Sequence, residues 1–149
     1  MTTTLAFPFA VILSLALFSC NSPERKTTAL TNDLKNTQWI IGSGGIIIPN
    51  SEKEYILNER DTTFITNIQA IDFLDEENFI SYDSWECGND CFTKVYGKYA
   101  FIEKDRLEMK FDSISKSDFC ETPTEIFRQT KKISFHLVRE GSQLKLIRK

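Results

Sequence analysis

The stretch VYGKYAFIEKDRLEMKFD, residues 95–112, decides the fold class. Leu107, Met109 and Phe111 alternate with Arg106, Glu108, Lys110 and Asp112. A period of two places the first set on one face of a strand and the charged set on the other. Val95, Tyr99 and Phe101 share one parity with Gly97, and Glu103-Lys104-Asp105 joins the two runs. The reading is a β-hairpin with one buried face.

The same design recurs outward from this hairpin. Ile133, Phe135 and Leu137 alternate, residues 139–142 turn through Gly141, and Leu144 and Leu146 return. Upstream, TQWIIGS (37–43), GIIIPN (45–50), EYILNE (54–59), TTFIT (62–66), QAIDFLD (69–75) and NFISYDSW (78–85) are rich in β-branched and aromatic residues and read as strands. DEEN (75–78) is a turn between the last two. Helix signals are confined to Thr122, Pro123 and Glu125, whose capping-box spacing predicts one or two turns through Phe127. The predicted class is mainly β: an antiparallel meander closing into a small barrel with at most one short helix. The chain has 12 Phe residues, enough apolar bulk for such a core.

The chain opens MTTTLAFPFAVILSLALFSCNSPERKTT. Residues 5–18 are almost wholly apolar, a run too short for a comfortable bilayer span and suited to a signal-peptide core. Leu17-Phe18-Ser19-Cys20 resembles the lipobox of bacterial lipoproteins, although Phe18 is bulky for its place and the segment before the apolar run lacks Lys and Arg. That resemblance implies cleavage before Cys20 and lipidation of its thiol and new amino group. The expected organisation is a signal peptide over 1–19, a flexible polar tether over 20–33 and one barrel domain over 34–149. The membrane would be met through the N-terminal lipid only. The formal net charge of −3 argues against a nucleic-acid partner, which would need clustered Lys and Arg. The expected location is the bacterial cell envelope, on a periplasmic or surface face.

Three cysteines remain in the mature chain: Cys87, Cys91 and Cys120. With His136 they could compose a Cys3His zinc set. His136, however, falls on the face opposite Ile133, Phe135 and Leu137, and an exported domain favours disulfides. Cys91–Cys120 is the first expectation. It closes a loop of about 30 residues, worth ~3 kcal/mol or more in the entropic account. Cys87–Cys120 is its main competitor, and Cys87–Cys91 would close only a tiny loop.

Other candidates for chemistry are weak. GSGG (42–45) lacks the Lys-Ser/Thr and the following helix of a phosphate loop and reads as a glycine bend. Asp75, Glu76 and Glu77 match no calcium-binding spacing and read as a charged turn. No Gly-x-Ser-x-Gly elbow occurs, and the single histidine is expected at the surface. Trp39, Trp85 and Tyr99 are the aromatic residues expected to line a ligand cavity or fill the core.

LKNTQWII (34–41) resembles the opening strand of META-domain and lipocalin-like bacterial lipoproteins. Cys91, Gly97-Lys98-Tyr99, Leu107-Glu108-Met109, Ser117-Asp118-Phe119-Cys120 and Leu144-Lys145-Leu146 follow the META order of cysteine turn, Gly-x-Tyr strand, alternating strand, second cysteine and closing strand. The Gly-Cys-Asn turn of that family is rearranged here into Cys87-Gly88-Asn89-Asp90-Cys91. The resemblance implies a calycin-type barrel in the cell envelope without catalysis and carries over no ligand. The expected function is a non-enzymatic, lipid-anchored envelope protein, needing no cofactor and no metal. It would bind a small apolar ligand or an envelope protein. The alternative is a periplasmic protein inhibitor of the toxin-immunity or lysozyme-inhibitor type. An open apolar lumen would favour a small-ligand carrier, and a solid one a protein partner.

Overall fold

A computed structural model describes residues 32–49, 52–61, 66–85, 91–117, 120 and 124–149. It contains eight strands: β1 (Thr37–Ser43), β2 (Glu54–Glu59), β3 (Ile68–Phe73), β4 (Asn78–Ser84), β5 (Thr93–Glu103), β6 (Arg106–Lys116), β7 (Glu125–Glu140) and β8 (Gln143–Arg148). They close into one antiparallel barrel in the order β1-β2-β8-β7-β6-β5-β4-β3, consistent with a small calycin-type barrel. Signal segment 1–19, Cys20 and the tether up to residue 31 lie outside the described residues, as do Cys87 and Thr62–Ile65 of the expected TTFIT strand.

From β3 to β8 the chain is the expected meander, each strand pairing with the next. The departure lies at the start. β1 sits between β2 and β3 and is antiparallel to both, so β2 ends at the opposite end of the barrel from the start of β3. After β2 the Arg60 N–H donates to the Gln38 carbonyl at 3.1 Å.

The hairpin quoted at the outset is β5–β6. Tyr99 stands opposite Met109 and Phe101 opposite Leu107, and Val95, Tyr99, Leu107, Met109 and Phe111 are all buried. The inner faces of β1, β2, β3, β4, β7 and β8 add Trp39, Ile41, Tyr55, Leu57, Ile71, Phe73, Phe79, Phe135, Leu144 and Leu146. Three edge-to-face ring contacts cross this core: Phe73–Tyr99 with centroids 4.8 Å apart, Phe79–Phe111 at 5.6 Å and Tyr55–Phe135 at 6.1 Å. Each fully buried side chain of this size contributes roughly 1.5–3 kcal/mol. The lumen is therefore a packed core.

Both mouths are plugged. The expected strand at 45–50 does not form over its described residues, 45–49. Gly44 and Gly45 have φ of 100° and 74°, and they turn the chain inward so that Ile47 is fully buried and its N–H donates to Ser81 Oγ at 2.9 Å. A β-branched run became a stopper because the two glycines reach a conformation other residues avoid. We call this the upper end. At the lower end Leu34 is fully buried in the core. Asn32 donates to the Glu76 carbonyl at 2.8 Å and to the Tyr99 hydroxyl at 3.0 Å, and the Tyr99 hydroxyl donates to the Asp75 carbonyl. Asn32 and Asp33, expected in the tether, are thus docked on the barrel, Asp33 through Arg139 at 2.6 Å.

The expected helical turn is also corrected from Glu125 onward, while its Thr122 and Pro123 lie outside the described residues. Among the described residues there is no helix, and Glu125, Ile126 and Phe127 open β7 instead. Glu125 pairs with Ile114 and Ile126 with Ser113; a waiting strand outweighed a local capping signal that could start only a turn or two. β7 is longer than its neighbour needs. β8 meets it only from Phe135 to Glu140, and among the described residues no strand pairs with that side of Glu125 to Ile133. Ile126 there is 75% exposed.

Candidate binding cleft on the outer wall

Outward-facing positions should be polar in an isolated barrel. Near the upper end of β4, β5 and β6 they are not. Tyr82 and Tyr96 alternate with inward Ser81, Val95 and Gly97 and so point outward. Trp85 follows the end of β4 and Phe92 precedes β5. These four rings border an open cleft of about 470 Å³, with Lys94, Ser115, Lys116 and Ser117. Trp85 is 41% exposed and Tyr96 39%. A cleft of this size falls in the range of small-ligand sites.

The cleft is held in shape from two sides. Tyr82 is fixed by a polar cluster on the outer wall. Arg60 donates to its hydroxyl at 2.8 Å, and the hydroxyl donates to Asp72 Oδ2 at 3.2 Å. Gln38 Nε2 also donates to Asp72 Oδ2, at 3.3 Å. Arg60 and Asp72 lie 3.7 Å apart with side chains only 11% and 13% exposed. Burial pushes the Asp72 carboxyl above its usual range, and the Arg60 charge beside it offsets this in part. The Tyr82 hydroxyl is pushed up as well, first by burial and then by the Asp72 charge.

On the other side stands the disulfide Cys91–Cys120, with Cα atoms 4.8 Å apart. This is the first of the pairings weighed from the sequence. It ties the start of β5 to the segment after β6. Phe92 N–H donates to Ser117 Oγ at 3.1 Å, Ser117 N–H returns to the Phe92 carbonyl at 2.9 Å, and Cys120 N–H donates to the Ser117 carbonyl at 3.0 Å. Phe92 and Ser117 are thereby clamped beside the bridge.

The three aromatic residues singled out from the sequence are separated by the fold. Trp39 lies in the core with its indole N–H on Thr37 Oγ1 at 2.8 Å. Tyr99 is core with its hydroxyl at the lower mouth. Only Trp85 faces a cleft. His136 is half-buried on the outer wall, 3.2 Å from Asp105. Among the described residues no group of three His, Cys, Asp or Glu is placed to hold a metal. Asp75 caps the β3–β4 turn, accepting from Glu77 N–H and Asn78 N–H at 2.8 Å each. A bond from the Asn78 side-chain amide first, and then these two, lower its pKa. The sequence reading missed Tyr82, Phe92, Lys94, Tyr96 and Lys116. A signal for two of them existed: Tyr82 and Tyr96 are aromatic at the outward parity of otherwise regular strands. No protein-family model, curated protein or solved structure matches the chain.

Proposed function

We propose that the chain is a non-enzymatic, lipid-anchored protein of the bacterial cell envelope that recognises its target on the outer wall of the barrel. The observation that supports this best is the contrast between a lumen filled with side chains and an aromatic cleft open to solvent beside the disulfide. A carrier of apolar ligands needs interior space, and this interior is occupied. The small-ligand reading therefore moves from the lumen to the outer wall.

The anchor sets which end of the barrel is tethered. Lipidation at Cys20 would leave about a dozen residues before Asn32, a reach of at most ~40 Å. Asn32 docks at the lower end, beside Glu76 and Tyr99. The lower end is then the tethered end, and the cleft lies at the opposite end of the barrel. The META-like and lipocalin-like resemblance is in keeping with this placement.

A second reading, a periplasmic inhibitor of a toxin or a wall hydrolase, draws on the filled lumen and on the unpaired side of upper β7. A strand edge of this kind is where an extended segment of another protein can add.

The test places a photo-crosslinking residue at position 85, 96 or 136 in living cells. The reading expects discrete adducts from 85 and 96 and none from 136, with Cys20→Ala releasing the protein from the membrane fraction. Adducts from 136 alone, or membrane retention of Cys20→Ala, would contradict it.

A further inference from the structure

We infer that the outer cleft takes an acidic saccharide, a sugar ring bearing a carboxylate; this assignment rests on the outer-wall reading above. The lining decides the class. Trp85 and Tyr96 both line the cleft and remain in contact with water. An aromatic face attracts the polarised C–H groups of a sugar face, and the sugar's hydroxyl rim stays hydrated in an open cleft. A wholly apolar ligand would leave too much of its surface in solvent here. A stable protein interface buries about 800 Å² on each side, and among the described residues the large apolar side chains exposed along this wall are Trp85 and Tyr96 at the cleft and Ile126 two strands away, in the cross-strand row of Tyr96.

Charge supplies the carboxylate. Lys35, Lys98, Lys110, Lys131, Lys132 and Lys145 each have an acidic partner within 4.0 Å. Lys94 and Lys116, the two lysines of the cleft, have none among the described residues; Lys53, Lys104 and Lys149 also lack one, but none of these three lines the cleft. Lys94 lies in a cross-strand row between Tyr82 and Ser115. Lys116 stands opposite Thr93 and is half-buried. Asp83, the one carboxylate among the described lining residues, already accepts the Thr93 N–H at 2.7 Å. Two unpaired cations beside two stacking faces call for an anionic group carried on a ring. The site is also formed in advance: Arg60 and Asp72 fix Tyr82, and the disulfide and the Phe92–Ser117 bonds fix the opposite rim. Little ordering cost remains for the ligand to meet.

The chain has two tryptophans, and only Trp85 lies in the cleft, so indole N–H signals of the full mature protein in detergent micelles report the site with Trp39 as internal control. The probes are N-acetylmuramic acid and N-acetylglucosamine, which share a ring and differ in the lactyl carboxylate. The acid is expected to shift the Trp85 signal saturably, to leave Trp39 unmoved, and to bind about tenfold tighter than the neutral sugar, the equivalent of one well-placed charge contact. Lys94→Gln with Lys116→Gln should bring the two sugars to equal affinity, and Tyr96→Ala should abolish both responses without moving the unfolding midpoint. No saturable shift, equal binding of both sugars to the native protein, or retained preference in the lysine variant would each overturn the assignment. Crosslinks from position 85 to a protein, without any sugar response, would overturn the saccharide while leaving outer-wall recognition standing.

Discussion

Gly97→Ala is expected to be among the most damaging single-methyl changes in the barrel. Gly97 lies in β5 opposite Phe111 of β6 and Phe79 of β4, with a register shift between Tyr96 and Gly97. A Cβ there would lie 2.1 Å from the Lys110 carbonyl oxygen and 2.7 and 2.8 Å from Cε1 and Cζ of Phe79. The Phe79 ring cannot simply swing away, because it packs edge-on against Phe111. The carbonyl is backbone and moves only if β5 and β6 part. Overpacking a core costs about 1–3 kcal/mol, and straining one or two ladder hydrogen bonds adds ~1 kcal/mol. The stiffer unfolded chain returns about 0.4–1 kcal/mol. The net expectation is a loss of about 1–3.5 kcal/mol of stability, or a fall in Tm of ~5–10 °C at the middle of that range. Urea titration followed by far-ultraviolet circular dichroism measures it, with Gly141→Ala for comparison. Gly141 has φ of 63° and nothing within 4 Å of its would-be Cβ, so only backbone strain of about 1 kcal/mol applies. A Gly97→Ala variant within ~0.5 kcal/mol of wild type, or more stable than Gly141→Ala, would refute the packing described for the hairpin.

Replacing Cys91 and Cys120 together by Ser opens a loop with a sequence separation of 29 residues. The entropic account gives a loss of about 3.5 kcal/mol, readable as a lower urea midpoint; an unchanged midpoint contradicts a bridge that holds the clamp. Asp72→Asn tests the outer-wall cluster through pH. Burial raises the folded pKa of Asp72 above its ordinary 3.8, so the folded state holds the proton more tightly than the unfolded state. The stabilisation from this group is therefore full below about the ordinary value and is lost as pH rises through the raised one. The stability of wild type relative to Asp72→Asn should fall with rising pH across that window, and a rise would show a carboxylate favoured by its partners over its burial.

The fold was legible where neighbours in sequence are also neighbours in space. Residues 95–112 carried β5 and β6 because a hairpin needs only alternation and a short turn. The C-terminal pair, with Gly141 at φ 63° between them, was readable for the same reason. Where long-range pairing decides, the sequence was silent. Nothing local says that β1 inserts between β2 and β3, or that Ile47 leaves the strand class to plug the upper mouth. The capping signal at residues 122–125 was overruled by the β6 edge, which took Glu125 and Ile126 into a strand. The cleft was half legible. Trp85 was marked as an aromatic of interest, but its separation from Trp39 and Tyr99 depends on which side of the wall each parity faces. Lys94 and Lys116 gain meaning only when the fold sets both in one cleft with Trp85 and Tyr96.

The central claim is that the lumen is closed to ligands and that recognition lies outside. A fluorescent fatty acid, titrated into the lipid-free Cys20→Ala protein, tests it most directly. The account predicts no saturable blue-shifted emission, because Tyr55, Phe73, Phe79, Phe111 and Phe135 occupy the interior and Leu34 and Ile47 close its mouths. Saturable binding of one fatty acid per barrel, abolished by Leu144→Trp and unaffected by Trp85→Ala, would contradict it.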